Sequence, residues 1–139
     1  QIPEHEKRSL YGYVEQTFHR VPGTVKDQIT LYDDSFTMEE VREAARIAGL
    51  DATIEQLEKG YDTLCTSEIF SQGQWQLLSI ARAAVAKPKL LLLDEITANL
   101  DAQTEEEVLQ ALKRASEGRT VISISHRMNA ETGRVIPIG

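Results

Sequence analysis

Pro88-Lys89-Leu90-Leu91-Leu92-Leu93-Asp94-Glu95 is the stretch on which the fold turns. Four leucines run without interruption between a proline, which no helix interior accepts, and two carboxylates. An apolar run this short, with no polar residue alternating through it, suits a β-strand buried on both faces, as in a parallel sheet.

The residues that follow support that reading. Asp101 is placed to cap a helix, with Glu105, Glu106 and Glu107 near its start and Lys113 and Arg114 in its last turn. Both sets of charges complement the helix dipole. Val108, Ala111, Leu112 and Ala115 fall on one stripe, Gly118 supplies a stop, and Thr120–Ile124 reads as a second strand. Strand, helix, strand implies a right-handed parallel crossover, so the fold class is α/β.

Upstream, Ser71-x-x-Gln74 is a capping box, and the helix it opens is expected to run through Ala86 until Pro88 stops it. Thr37-x-x-Glu40 is another, followed at helical spacing by Val41, Ala44, Ala45 and Ala48 and ended by Gly49. Asp51 is expected to cap a second short helix carrying Ile54 and Leu57, and Gly60–Ile69 to be loop. Thr24–Ile69 therefore reads as a helical insert with no strand. Nearer the start, Pro3–Leu10 reads as a short helix, Tyr11–Val14 as a brief strand, and Gln16–Gly23 as a loop broken by Pro22 and Gly23.

The 139 residues suffice for one domain with a core, and 41% hydrophobic with 27% charged residues is ordinary for a globular protein. A formal net charge of −7 argues against a nucleic-acid surface, which needs clustered Lys and Arg. Cys65 stands alone, so there is neither a disulfide framework nor a zinc spacing, and a reducing, intracellular environment fits. Leu90–Leu93 is far too short to cross a bilayer, and the charged stretch Gln1–Ser9 does not read as a signal peptide. Membrane attachment is expected to come from another chain or segment.

Ligands of open parallel sheets bind beyond the carboxyl ends of the strands. One strand here runs into Asp94-Glu95 and the other into Ser125-His126. A buried carboxylate demands compensation, which a magnesium ion would supply. Asp94 is then a candidate metal ligand, and Glu95 a candidate to position or deprotonate water. A strand that simply ends at the surface and turns acidic would show the same residues. Ser71–Gln74, a hydroxyl and a glycine at a helix amino-terminus, suits an anion, and an ordinary capping box explains it equally well.

Taken in order, Phe70-Ser71-Gln72-Gly73-Gln74, Leu90–Glu95, Thr97-Ala98-Asn99-Leu100-Asp101 and Ser125-His126-Arg127 resemble the ATP-binding cassette (ABC) ATPases. They are similar to that family's signature motif (usually LSGGQ), Walker B strand, D-loop and H-loop. Ile80-Ala81-Arg82-Ala83 and Gly118-Arg119-Thr120-Val121 also match family habit. Gly12–Gln16 resembles the strand into the Q-loop, and Gly23–Ile29 the stretch that follows it in exporter-type members.

The resemblance implies a partial P-loop NTPase, a RecA-like parallel sheet flanked by helices, with the family's helical subdomain inserted. About 17–87 would hold the Q-loop, helical subdomain and signature helix, and about 88–139 the Walker B, D-loop and H-loop part of the core. It further implies that ATP and Mg2+ are the cofactors. Gln16 would line the magnesium and the attacking water, Asp94 hold the metal, Glu95 act on the water, and His126 contact the terminal phosphate. Ser71, Gln72, Gly73 and Gln74 would face ATP bound to an opposing ATPase domain in a head-to-tail sandwich, and Asp101 that partner's phosphate loop. The other implied partner is a transmembrane transporter domain, with the chain at the cytoplasmic face of the membrane.

The chain also departs from the family. No G-x-x-x-x-G-K-[ST] phosphate loop occurs in it, nor the aromatic residue upstream of it that stacks on adenine. Gln72 replaces the first signature glycine, Glu15 stands where proline is common, and the tail Asn129–Gly139 is short. The expectation is a fragment, inert alone, of a transporter's motor. A non-transport ABC ATPase of DNA repair or iron–sulfur assembly, and a helical docking module that never meets ATP, are the rival readings.

Overall fold

The computed structural model describes residues 10–15, 18–94, 101–124 and 135–138. The expected strands form β1 (Tyr11–Val14), β2 (Leu90–Asp94) and β3 (Thr120–Ile124). They pair in parallel in that order, Val14 opposite Leu93 and Asp94 opposite Ile124. A fourth strand that the sequence reading did not anticipate, β4 (Val135–Ile138), pairs antiparallel with β3. It carries Pro137, which lacks a backbone donor and is tolerated because β4 is an edge of the described sheet.

Between β1 and β2 lie α1 (Val25–Thr30), α2 (Met38–Ala48), α3 (Asp51–Glu55), a 3-10 turn (Gly60–Asp62) and α4 (Gln72–Ala84). Between β2 and β3 lies α5 (Ala102–Ser116). α4 is the hub, touching α1, α2, α5 and β1. That central position is why it is buried around most of its circumference, from Leu77, Leu78, Ile80 and Ala81 to Gln76 and Ser79. Gly12 permits its approach to the sheet, because a Cβ there would lie 2.7 Å from the Ala83 carbonyl oxygen. The Ser79 hydroxyl accepts from the Glu15 N–H at 3.0 Å. Between helices, the Arg114 Nε donates to the Ile47 carbonyl at 2.8 Å, so α5 closes the last turn of α2.

The capping boxes at Thr37–Glu40 and Ser71–Gln74 form as expected, and a third, Thr24–Asp27, opens α1. Several expectations are corrected. Asp51 does not cap α3: Leu50 is the cap residue and makes no side-chain bond, while the Asp51 carboxylate accepts from the Tyr61 hydroxyl. That buried phenol is held above its usual pKa, first by burial and then by Asp51. The expected loop Gly60–Ile69 contains the 3-10 turn, and Leu64 bridges Thr24. α4 ends at Ala84, two residues early, because a residue before proline is kept out of the helical region; Lys87 takes a φ of 53°.

The leucine run is not buried on both faces among the described residues. Leu91 is buried with Val14 on the face that α4 covers, whereas Leu90, Leu92 and Leu93 are half-buried and Tyr11 and Tyr13 are exposed. Apart from Leu10, the helix expected over Pro3–Leu10 lies outside the described residues.

Candidate functional site

The three parallel strands end on one edge of the sheet, and Asp94 closes β2 there, buried to 9% exposure. Its carboxylate Oδ2 accepts a hydrogen bond from the Tyr13 hydroxyl at 2.7 Å. Tyr13 is two strand residues from Tyr11 on the face opposite Val14, and its register partner is Leu92, so pleating puts it on the same face as Asp94, which its phenol reaches diagonally. The bond holds the phenol protonated: Tyr13 is pushed up to about 12, first by the hydrogen bond to Asp94 and then by burial.

Gln16, Glu95 and His126, the other residues expected at this edge, lie outside the described residues. No cluster of three or more His, Cys, Asp or Glu occurs among those described. A single buried carboxylate fits magnesium nonetheless, since that ion is ordinarily held by one or two carboxylates, with waters and substrate phosphates completing its shell.

A second group of expected residues gathers at two helix amino-termini. Ser71 caps α4 with extended dihedrals; its hydroxyl accepts from the Gln74 N–H at 3.2 Å, and the Gln74 Oε1 accepts from the Ser71 N–H at 2.9 Å. Gln72, the first residue of the helix, is exposed, so the glutamine in place of glycine does not disturb the turn. Gly73 is buried against α5, where a Cβ would lie 2.1 Å from the Thr104 Cγ2. Asp101 caps α5 and accepts from the Thr104 N–H at 2.8 Å. Its carboxyl is held below the usual range, first by the Thr104 side chain and then by that backbone N–H.

The structure thus brings Gly73 and Asp101 together through Thr104, and joins Asp94 to Tyr13. Neither Tyr13 nor Thr104 was singled out from the sequence. Asp101-x-x-Thr104 is a capping pattern that could have flagged Thr104, whereas a cross-strand partner such as Tyr13 has no local signal.

A third network orders the chain that follows Gln16. Gln28, fully buried on α1, accepts from the Val21 N–H at 2.9 Å and donates to the carbonyls of Val21 at 2.8 Å and Thr24 at 3.1 Å. Arg82 on α4 donates to the carbonyls of Gln28 at 2.6 Å and His19 at 3.0 Å. Its guanidinium sits 4.1 Å from the centroid of the Phe18 ring, which stacks on Trp75 at 5.4 Å. The loop after the first strand is therefore fastened to the helix that Ser71 opens.

Compared with known proteins, residues 2–98 match the family described as ABC transporter. An uncharacterized ABC transporter ATP-binding protein, YfiC, of Bacillus subtilis is 44% identical over 124 residues, which are 88% of this chain and 20% of that protein. ABC transporter B family member 1 of Dictyostelium discoideum is 43% identical over 138 residues, 95% of this chain and 15% of that protein. The ABC multidrug transporter MDR2 of Trichophyton rubrum is 48% identical over 127 residues, 88% of this chain and 9% of that protein. The chain spans a fifth or less of each of these relatives.

Proposed function

The chain belongs to the ABC transporter family, and from that membership we propose that it is the carboxyl-terminal part of an ATPase domain that powers transport across a membrane. The observation that carries the reading is Asp94, a buried carboxylate where three parallel strands end, tied to Tyr13. Such an edge is where open parallel sheets receive ligands, and a buried acid with a fixed orientation is what a divalent cation requires.

Bound magnesium would neutralise phosphate charge and orient the terminal phosphoryl group. Asp94 would hold the ion, its carboxylate oriented by the hydrogen bond from Tyr13. Glu95 would accept the proton of the attacking water, Gln16 would orient that water, and His126 would donate to the terminal phosphate. Ser71, Gln72, Gly73 and Gln74 would present a helix amino-terminus to ATP held by a second ATPase domain, and Asp101 would meet that domain's phosphate loop. The remaining partner would be a transmembrane domain, placing the chain at the cytoplasmic face; no helix among the described residues is long and apolar enough to cross a membrane. The acidic balance of the chain, −7 overall, supports a reading without nucleic acid.

The test is Glu95→Gln in the complete domain. The amide keeps the shape but cannot take a proton, so ATP hydrolysis should fall by about 10²–10⁴-fold with ATP binding retained. Turnover near the parent value would remove Glu95 from the chemistry and with it this assignment.

A further inference from the structure

Thr104 belongs to none of the family-like motifs, yet its side chain packs against one of them and its backbone N–H binds another. On one side its Cγ2 methyl lies against the bare Cα of Gly73. A Cβ built there would sit 2.1 Å from Cγ2, 3.5 Å from the Thr104 Cβ and 3.8 Å from its Oγ1. Gly73 lies inside α4 and its φ is not positive, so its backbone conformation makes no demand for glycine. Glycine is a poor helix former at such a position, and the close approach is the reason this chain supplies for it. On the other side the Thr104 N–H donates to the Asp101 Oδ1 at 2.8 Å, and the Thr104 side chain helps to hold that carboxyl below its usual range.

A β-branched side chain in a helix has few χ1 choices. Turning the Thr104 methyl away from an added Cβ at position 73 would also swing the hydroxyl, and so change the side-chain influence on the Asp101 carboxyl. Moving α5 instead would shift Asp101 bodily, because Asp101 is the cap of that helix. Either way the two amino-termini respond together.

We propose that Thr104 is a positioning residue that sets the spacing between the turn at Ser71–Gln74 and the cap Asp101. The glycine at 73 is then required within the chain, and not only by an approaching phosphate. The functional half of this inference rests on the nucleotide-sandwich reading above; the packing half does not.

The experiment uses the complete ATPase domain carrying Gly73→Ala, Thr104→Ser, the two together, or Gly73→Ala with Thr104→Val. Serine removes the obstructing methyl and keeps the hydroxyl; valine keeps a methyl and loses the hydroxyl. Without nucleotide, Gly73→Ala should lower the Tm by about 3–8 °C, as overpacking does. Thr104→Ser should restore most of that loss and Thr104→Val none. In a hydrolysis-deficient background, ATP-driven dimerisation followed by light scattering should weaken about tenfold in Gly73→Ala, the equivalent of roughly one lost hydrogen bond, and recover with Thr104→Ser. If Gly73→Ala does not fold, soluble and folded protein from the double variant is the rescue, and failure of both overturns the proposal. An equal loss of Tm with threonine or serine at 104 also overturns it. Recovered stability without recovered dimerisation would leave Gly73 as a phosphate contact and remove the positioning role. Failure of the parent domain to dimerise with ATP would count against the functional reading alone, since the nucleotide-free comparison still decides the contact.

Discussion

Gln28→Leu removes the amide that fastens residues 18–23 to the helices while roughly preserving volume. Gln28 is fully buried, and its side chain serves both backbone groups of Val21 and the carbonyl of Thr24. Its Oε1 also accepts a long bond from the Arg82 Nη2 at 3.4 Å, a guanidinium that keeps the carbonyls of Gln28 and His19. The Thr24 carbonyl keeps a partner in the Gln28 N–H at 3.3 Å, so the substitution orphans chiefly the two Val21 groups. An orphaned polar group costs about 1–3 kcal/mol when buried, and the low end applies here because Val21 is only half-buried. Two such groups give about 2 kcal/mol, which corresponds to about 8 °C in Tm for a domain of this size. Thermal unfolding followed by circular dichroism measures it. Trp75 is the only tryptophan and stacks on Phe18, so its emission reports separately on the loop and should shift to the red. A loss below about 0.5 kcal/mol would show that Val21 finds other partners and that the amide is not the fastening. A full loss of stability with unchanged Trp75 emission would show that Phe18 is held by Arg82 and Trp75 alone.

Restoring glycine at the signature, Gln72→Gly, should tighten ATP-driven dimerisation of the complete, hydrolysis-deficient domain by about 1 kcal/mol through one regained phosphate hydrogen bond. Because Gln72 is exposed at the first helical position, Tm should hold or fall slightly; equal or weaker dimerisation would make Gln72 an adapted contact. Asp101 has a folded pKa below its ordinary value, so its contribution to stability is present above about pH 3.8 and is lost as pH falls through the folded value. Asp101→Asn should therefore flatten the acid limb of the stability profile, measured by urea unfolding from pH 5 downward, and an unchanged acid limb would refute the assignment of that bond.

Local rules determined much of this chain. The capping boxes at Thr37 and Ser71, the cap at Asp101, the stop at Gly49 and the strand of leucines need only neighbouring residues, and each forms where the sequence placed it. The order of the motifs from Phe70 to Arg127 was enough to point to the family. Asp51 was misread as a cap because its carboxylate is drawn to Tyr61, a residue from the following turn whose position depends on how α3 packs. The leucine run was assigned two buried faces because an apolar pattern records what could be covered, while burial depends on which elements come to cover it. Tyr13 meets Asp94 across 81 residues of sequence, and Gly73 meets Thr104 across a helix pair. Sequence determined which helices and strands would form and which groups could carry chemistry, because those depend on backbone hydrogen bonds and side-chain periodicity within a few residues. Only the tertiary structure decided that a phenol would hold the buried acid and a threonine would join two helix amino-termini, because such contacts follow from the packing of elements distant in the chain.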